Sequence, residues 1–246
     1  MMAALYWKAW RESRGRFLTA LPVMMAACVV SARSDVSRLM IFPPPTLEQY
    51  IWNSVYDGAA RLLFVLAALT LGLGGVRAER ISGSEAFTLS LPVMRHQLVL
   101  TRAITGAAQV VVLAMVPLVI IPAVTARYQD HVYPAVQAWR FFGLFAAAGF
   151  AWFAIGFFSS VIFSGEYTAA AVSLVTPLAI AGVTSAPGLQ GLRPLNLFNI
   201  MSGADLSYLD ARRRLLIAMP WETVVAVMAL ATVLLWAAVR AVEADG

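Results

Sequence analysis

The chain has 246 residues, of which 61% are apolar and only 13% charged, too little polar surface to clothe a soluble globule of this size. Its net charge of +5 comes from arginines that flank apolar runs, where anionic headgroups rather than nucleic acid are the natural partner. One cysteine, Cys28, excludes an intrachain disulfide, and His96 and His131, the only histidines, are too few for a zinc-type ligand set.

In chain order, residues 3–16 come first. Tyr6, Trp10 and Phe17 share one helical stripe while Lys8, Arg11 and Glu12 occupy another, the pattern of a helix lying at a membrane surface. The following apolar run, 17–32, predicts a first span. Its core also suits the h-region of a cleaved leader, with Met25-Ala26-Ala27-Cys28 as a loose processing site, but the amphipathic 3–16 segment is too structured for an ordinary n-region. The breaker Pro43-Pro44-Pro45 and the capping pattern Thr46-x-x-Gln49 then open a helix that merges into a second span, 53–76, with Asp57 and Arg61 paired near its outer edge.

Further spans are predicted at 98–124, 140–164, 167–187 and 221–240, each near the roughly 20 residues that hydrocarbon thickness demands. Pro22, Pro117, Pro122 and Pro177 fall inside spans, where they predict local kinks. Small-residue stretches, Gly72-Leu-Gly74-Gly75 and Ala146-Ala147-Ala148-Gly149, permit close helix approach. The outer segment 188–220 is the longest piece outside the spans. Leu206, Leu209 and Leu216, with Asp210 three and four residues before Arg213 and Arg214, predict a short amphipathic helix on the surface, either a cap or a substrate gate. The fold class is therefore an all-α membrane protein in one domain, 1–246, with six transmembrane helices. The 18 Lys and Arg divide evenly between the two sides. The basic cluster ahead of the first span favours a cytoplasmic N-terminus, and an even span count brings the C-terminus to the same side.

Several chemistries are missing. A P-loop needs a Gly-Lys pair, but the only lysine, Lys8, follows Trp7, so this chain cannot hydrolyse ATP by that route. The span centres as drawn carry no ionisable residue, which disfavours proton coupling, and neither histidine is placed for intramembrane proteolysis. No catalytic, metal or cofactor-binding residue is assigned. Asp205, Asp210 and the Arg212-Arg213-Arg214 cluster leave open a membrane-embedded enzyme acting on lipid; a non-transporting scaffold is the other alternative.

The most informative stretch is 77–96, between the second and third spans. Ser82 and Glu85 fit a capping box and Pro92 forces a stop near Leu91, bounding a helix of about 9 residues and about 13 Å on which Phe87 and Leu91 form an apolar ridge suited to a partner's groove. This stretch resembles the signature of the ABC-2 type permease family, the membrane subunits of bacterial ATP-binding-cassette exporters. Glu79, the Gly83-Ser84 step, the apolar helix Phe87 to Leu91, Pro92 and Arg95 carry the resemblance. Glu85 follows Ser84 directly, whereas the family commonly spaces its second acidic residue further on.

The opening stretch, with Tyr6, Trp7, Trp10, Arg11 and Arg14, resembles the elbow helix ahead of the first span in such permeases. The resemblance implies that Gly83 to Leu91 is a coupling helix docking on a separate ATPase subunit. Two ATPase copies would bind ATP and Mg there, two permease chains, identical or homologous, would form the path, and the bacterial inner membrane would be the location.

Overall fold

In the computed structural model, residues 2–33, 46–73, 95–128, 132–163, 165–186, 196–204 and 207–244 are described. Six helical stretches among them are long and apolar enough to cross a membrane, which makes this an all-α, multi-pass membrane architecture. We number the helices α1 (Met2–Arg33), α2 (Leu47–Ile51), α3 (Ala59–Gly72), α4 (Arg95–Tyr128), α5 (Ala135–Ile162), α6 (Glu166–Ser185), α7 (Leu197–Ser202) and α8 (Trp221–Ala244). Between α2 and α3 the chain makes a turn of π-helix, Trp52–Tyr56.

Thr46 caps α2 as its sequence suggests, its side chain accepting from the Gln49 amide at 3.3 Å. The spans alternate in direction. At one end of the bundle, the Glu12 carboxylate of α1 meets Arg102 in α4, Arg16 donates to the Thr70 carbonyl at the end of α3, and His96 lies 4.0 Å from Glu243 near the end of α8. The N-terminal part of α1, both flanks of the 74–94 segment and the C-terminal part of α8 therefore share that end.

Helix α5 is the hub. It packs against α3, α4, α6, α7 and α8, and Phe141, Phe145, Trp152, Phe153 and Phe157 are all buried along it. Tyr56 stacks on Phe141 with 4.0 Å between ring centroids, and Phe64 leans on Phe145 at 5.2 Å. The outer helices instead turn large apolar side chains outward, Leu178 from α6 and Val233 and Trp236 from α8 among them, as suits a lipid environment.

Small residues set the closest approach. A Cβ on Gly72 would stand 2.5 Å from the Phe153 carbonyl oxygen, and one on Gly156 would stand 2.6 Å from that of Leu69. Glycines at these two positions let the backbones of α3 and α5 touch, which is how apolar helices associate without a hydrophobic driving force. Gly149 plays the same part for the Phe64 ring, whose Cζ lies 2.5 Å from where a Cβ would sit.

Two expectations are corrected. Residues 3–16 do not form a separate elbow helix but the first turns of one unbroken helix, Met2–Arg33; nothing between 16 and 17 interrupts the hydrogen-bond ladder, and even Pro22 lies inside it. The second span does run on from the helix opened at Thr46, as expected: the candidate span is Leu47–Gly72 and includes Asp57 and Arg61, Arg61 about 17 Å by helical rise from Gly72. Finally, the surface helix expected around Leu209 and Leu216 does not form, because Asp210 closes a turn: its carboxylate accepts from the Arg212 amide at 2.9 Å, and Leu209 and Leu216 pair as an antiparallel bridge.

The glycine contacts predict that Gly156→Ala lowers the unfolding free energy by about 1–3 kcal/mol, since the clash is with backbone and no rotamer relieves it. Gly182→Ala, where a Cβ meets nothing within 4 Å, should leave stability unchanged or slightly raised. Equilibrium unfolding of the two variants in detergent micelles checks this.

Candidate functional site

Two polar nodes interrupt the apolar bundle. One forms where residues 196–204 and Leu216 pack among the helices. Asn196 starts α7 by accepting from the Phe198 amide at 3.0 Å and donating to Thr184 in α6 at 2.8 Å. Gly203, at φ +69°, ends α7 in the left-handed conformation that glycine adopts without cost. Between these caps Leu197, Ile200, Met201 and Ser202 are buried, and Phe198 packs on Trp152 with ring centroids 5.2 Å apart.

A helix this short leaves several carbonyls without intrahelical partners, and the second span supplies donors. Arg61 donates to the Phe198 carbonyl at 3.0 Å and to Ser202 Oγ at 3.2 Å, while holding Asp57 at 2.7 Å. Trp52 Nε1 donates to the Ser202 carbonyl at 2.7 Å. The π-helical turn that contains Trp52 shifts the side-chain register there, a distortion of the kind that recurs at functional positions.

The hairpin that follows is anchored from α5. Gln137 exchanges both hydrogen bonds with Leu216, Nε2 to its carbonyl and the Leu216 amide to Oε1, each 3.0 Å, and Arg140 donates to the same carbonyl. Arg214 takes a positive φ of 55° to close the turn, and its guanidinium lies 4.8 Å from the centroid of the Trp52 ring. Trp52 thus touches both halves of the inserted segment. Nearby, burial pushes the Tyr133 phenol above its ordinary pKa, with the charge of Glu48 adding to the effect, so Tyr133 stays neutral.

The second node lies at the end of the bundle that carries the N-terminus. Arg102, 7% exposed, is 2.7 Å from Glu12, 35% exposed, and Lys8 approaches the same carboxylate at 3.9 Å. Ser13, one residue on, accepts from Gln109 Nε2 at 2.7 Å. Glu12, Ser13, Arg102, Leu71 and Phe157 line a cavity of about 20 Å³, room for about one water molecule.

Of the residues singled out in the sequence, Tyr6, Trp7, Trp10, Arg11 and Arg14 lie on the first turns of α1, and Arg95 opens α4. Glu79, Gly83, Ser84, Glu85, Phe87, Leu91 and Pro92 fall outside the described residues, as do Asp205 and His131. The expected pairing of Asp210 with Arg213 or Arg214 gives way to the turn at Asp210 and the stacking of Arg214 on Trp52. Sequence reading did not single out Trp52, Arg102 or Gln137. Their partners lie 150, 90 and 79 residues away along the chain, and no local pattern marks them. Among the described residues, no group of acidic, histidine and cysteine side chains could hold a metal ion. No family model and no curated protein matches the chain.

The inserted segment depends on Arg61. In Arg61→Met the Phe198 carbonyl and Ser202 lose their donor and Asp57 its counter-ion, at an expected cost of about 2–3 kcal/mol. Hydrogen exchange should speed up selectively at residues 197–202, and unchanged protection there would refute the anchoring role.

Proposed function

We propose that this chain is the permease subunit of an ATP-binding-cassette exporter, driven by ATP hydrolysis in a separate subunit. The observation that carries the reading is the 77–96 stretch. Its Glu79, Gly83-Ser84, Phe87 to Leu91, Pro92 and Arg95 resemble the ABC-2 permease signature, and it joins the ends of two spans on the side that carries the N-terminus. The six apolar helices are what such a subunit needs, and the lack of a Gly-Lys pair fits an energy source outside the chain.

On this reading, residues 83–91 dock in a groove of the ATPase, with Phe87 and Leu91 as apolar anchors. The N- and C-termini are cytoplasmic, the membrane is the bacterial inner membrane, and the unit contains two ATPase copies and a second permease chain. The wiring beyond the docking helix supports this division of labour. Seven residues after Arg95 opens α4, Arg102 is bound to Glu12, so a displacement of the docking helix would reach α4 and α1 together. The α7 segment, held among the second span, α5 and α6, is the element such a movement would shift, and we assign it the gating role.

A lipid-modifying enzyme built on Asp210 is less well supported, because that carboxylate is engaged in closing its own turn. Phe87→Asp or Leu91→Asp should abolish co-purification of the ATPase while the permease still accumulates folded in the membrane. Retained association, with substrate-stimulated ATPase activity at the unmodified level, would reject the docking assignment. Asp210→Asn should leave transport largely intact.

A further inference from the structure

A groove of about 520 Å³ runs between α1 and α4 on the outside of the bundle. Tyr6, Trp10 and Phe17 form one wall, and Ile104, Ala108 and Val112 the other. Trp10 and Phe17 rest on each other with ring centroids 5.7 Å apart, and Gln109, the most polar side chain in the lining, is buried and donates to Ser13 rather than into the groove. From Tyr6 to Phe17 the groove spans about 16 Å along the helix axis, a long and narrow apolar shape that suits an extended hydrocarbon chain better than a folded side-chain cluster.

Charge at one end of the groove is uneven. Arg14 is four residues after Trp10 and three before Phe17, so it stands beside both on the helix surface. It is exposed, and among the described residues it has neither an ion pair nor a hydrogen bond. Arg11 is likewise exposed one turn before the end of the basic cluster. The one acidic side chain in this part of α1, Glu12, is already neutralised by Arg102 and Lys8. Tyr6 and Trp10 add the amphipathic aromatic pair that sits at headgroup level in membrane proteins.

We propose that this groove is a binding site for an anionic phospholipid, the phosphate held by Arg14 and the first part of one acyl chain passing between the adjacent Trp10 and Phe17 rings and Ala108 before running on along Val112. A second copy of this chain is a poorer occupant. A twofold contact through the groove in a membrane sets equal depths face to face, bringing Arg11 and Arg14 against their own copies. The site rests on the membrane-spanning architecture alone and does not depend on the transporter assignment.

Trp10 lies in the wall and reports occupancy. The full chain is reconstituted into vesicles containing phosphatidylcholine or phosphatidylglycerol with brominated acyl chains, and the Trp10 signal is isolated by subtracting the Trp10→Phe variant. Brominated phosphatidylglycerol should quench Trp10 at about one-fifth of the mole fraction that phosphatidylcholine requires, the preference expected of one basic side chain at the membrane surface. Arg14→Gln, an exposed change that leaves the bundle intact, should bring the two lipids to equal effect, and Ala108→Phe should weaken quenching by both. Equal quenching by the two lipids in the unaltered chain means unselective surrounding lipid and overturns the proposal. A Trp10 that neither lipid reaches, combined with a dimer whose cross-links pass through residues 10 and 108, overturns it in favour of a second copy.

Discussion

Backbone polar groups buried where water does not reach must find partners within the chain, and in this protein that demand falls on residues 196–204 and on Leu216, which lie in the bundle outside the spans. A helix of six residues and a single buried hairpin position cannot satisfy all of their own amides and carbonyls. Donors and acceptors arrive from elsewhere: Arg61 and Trp52 from the second span, Gln137 and Arg140 from α5, and Thr184 from α6. Each of these polar side chains would be a burden in lipid by itself. Paired with the inserted segment they become its fixings, which is why the Arg61 charge is tolerated inside the bundle.

The same requirement shapes the surrounding helices. For Arg61 and Trp52 to reach one short helix from a single span, the span must change register between them, and the π-helical turn at Trp52–Tyr56 followed by the break at Asp57-Gly58 does this. Below that break α3 is regular and lies against α5 through Gly72 and Gly156 at backbone contact. Close contact in one half and a polar insertion in the other are complementary. Helices drawn together at one end leave room at the opposite end, which α7 and the hairpin fill.

The number of spans and the cap at Thr46 were legible in the sequence because each rests on local information, an apolar run of sufficient length or a hydroxyl three residues before a receptive amide. The Asp57–Arg61 pair was legible for the same reason, but the partners Arg61 finds in α7 were not. Those partners, the Phe198 carbonyl and Ser202 Oγ, lie 137 and 141 residues away along the chain, beyond any local pattern. The 193–220 segment misled for a different reason. Asp210 followed by arginines at three and four residues fits a helix surface, yet an aspartate followed by a tight turn fits as well, and the choice was made by Gln137 and Trp52, distant in sequence. The continuous α1 shows a third limit. Amphipathic patterning identified the stripe of Tyr6, Trp10 and Phe17, which lines an outward groove, but not that Leu5 and Ala9 on the adjoining face are buried against the neighbouring helices.

The two polar nodes differ in how readily they can open. At Arg61 the partners include carbonyls within the bundle, so separating α7 from the second span would strand groups away from water, and the junction favours moving as a unit. At Glu12 the carboxylate is already 35% exposed, and water can replace Arg102 at modest cost, whereas Arg102 itself is only 7% exposed and would need another partner. Any relative motion of α1 and α4 is therefore easiest where Glu12 swings outward, and Lys8 stands ready to keep the carboxylate paired as it does so. The bundle thus has a firm joint inside and a more yielding one at the end that carries the N-terminus. A force delivered through the 74–94 segment would meet the yielding joint first. It would reach α7 only by turning α3 or α4 against α5, and the backbone contact at Gly72 and Gly156 makes α3 the stiffer of those two levers.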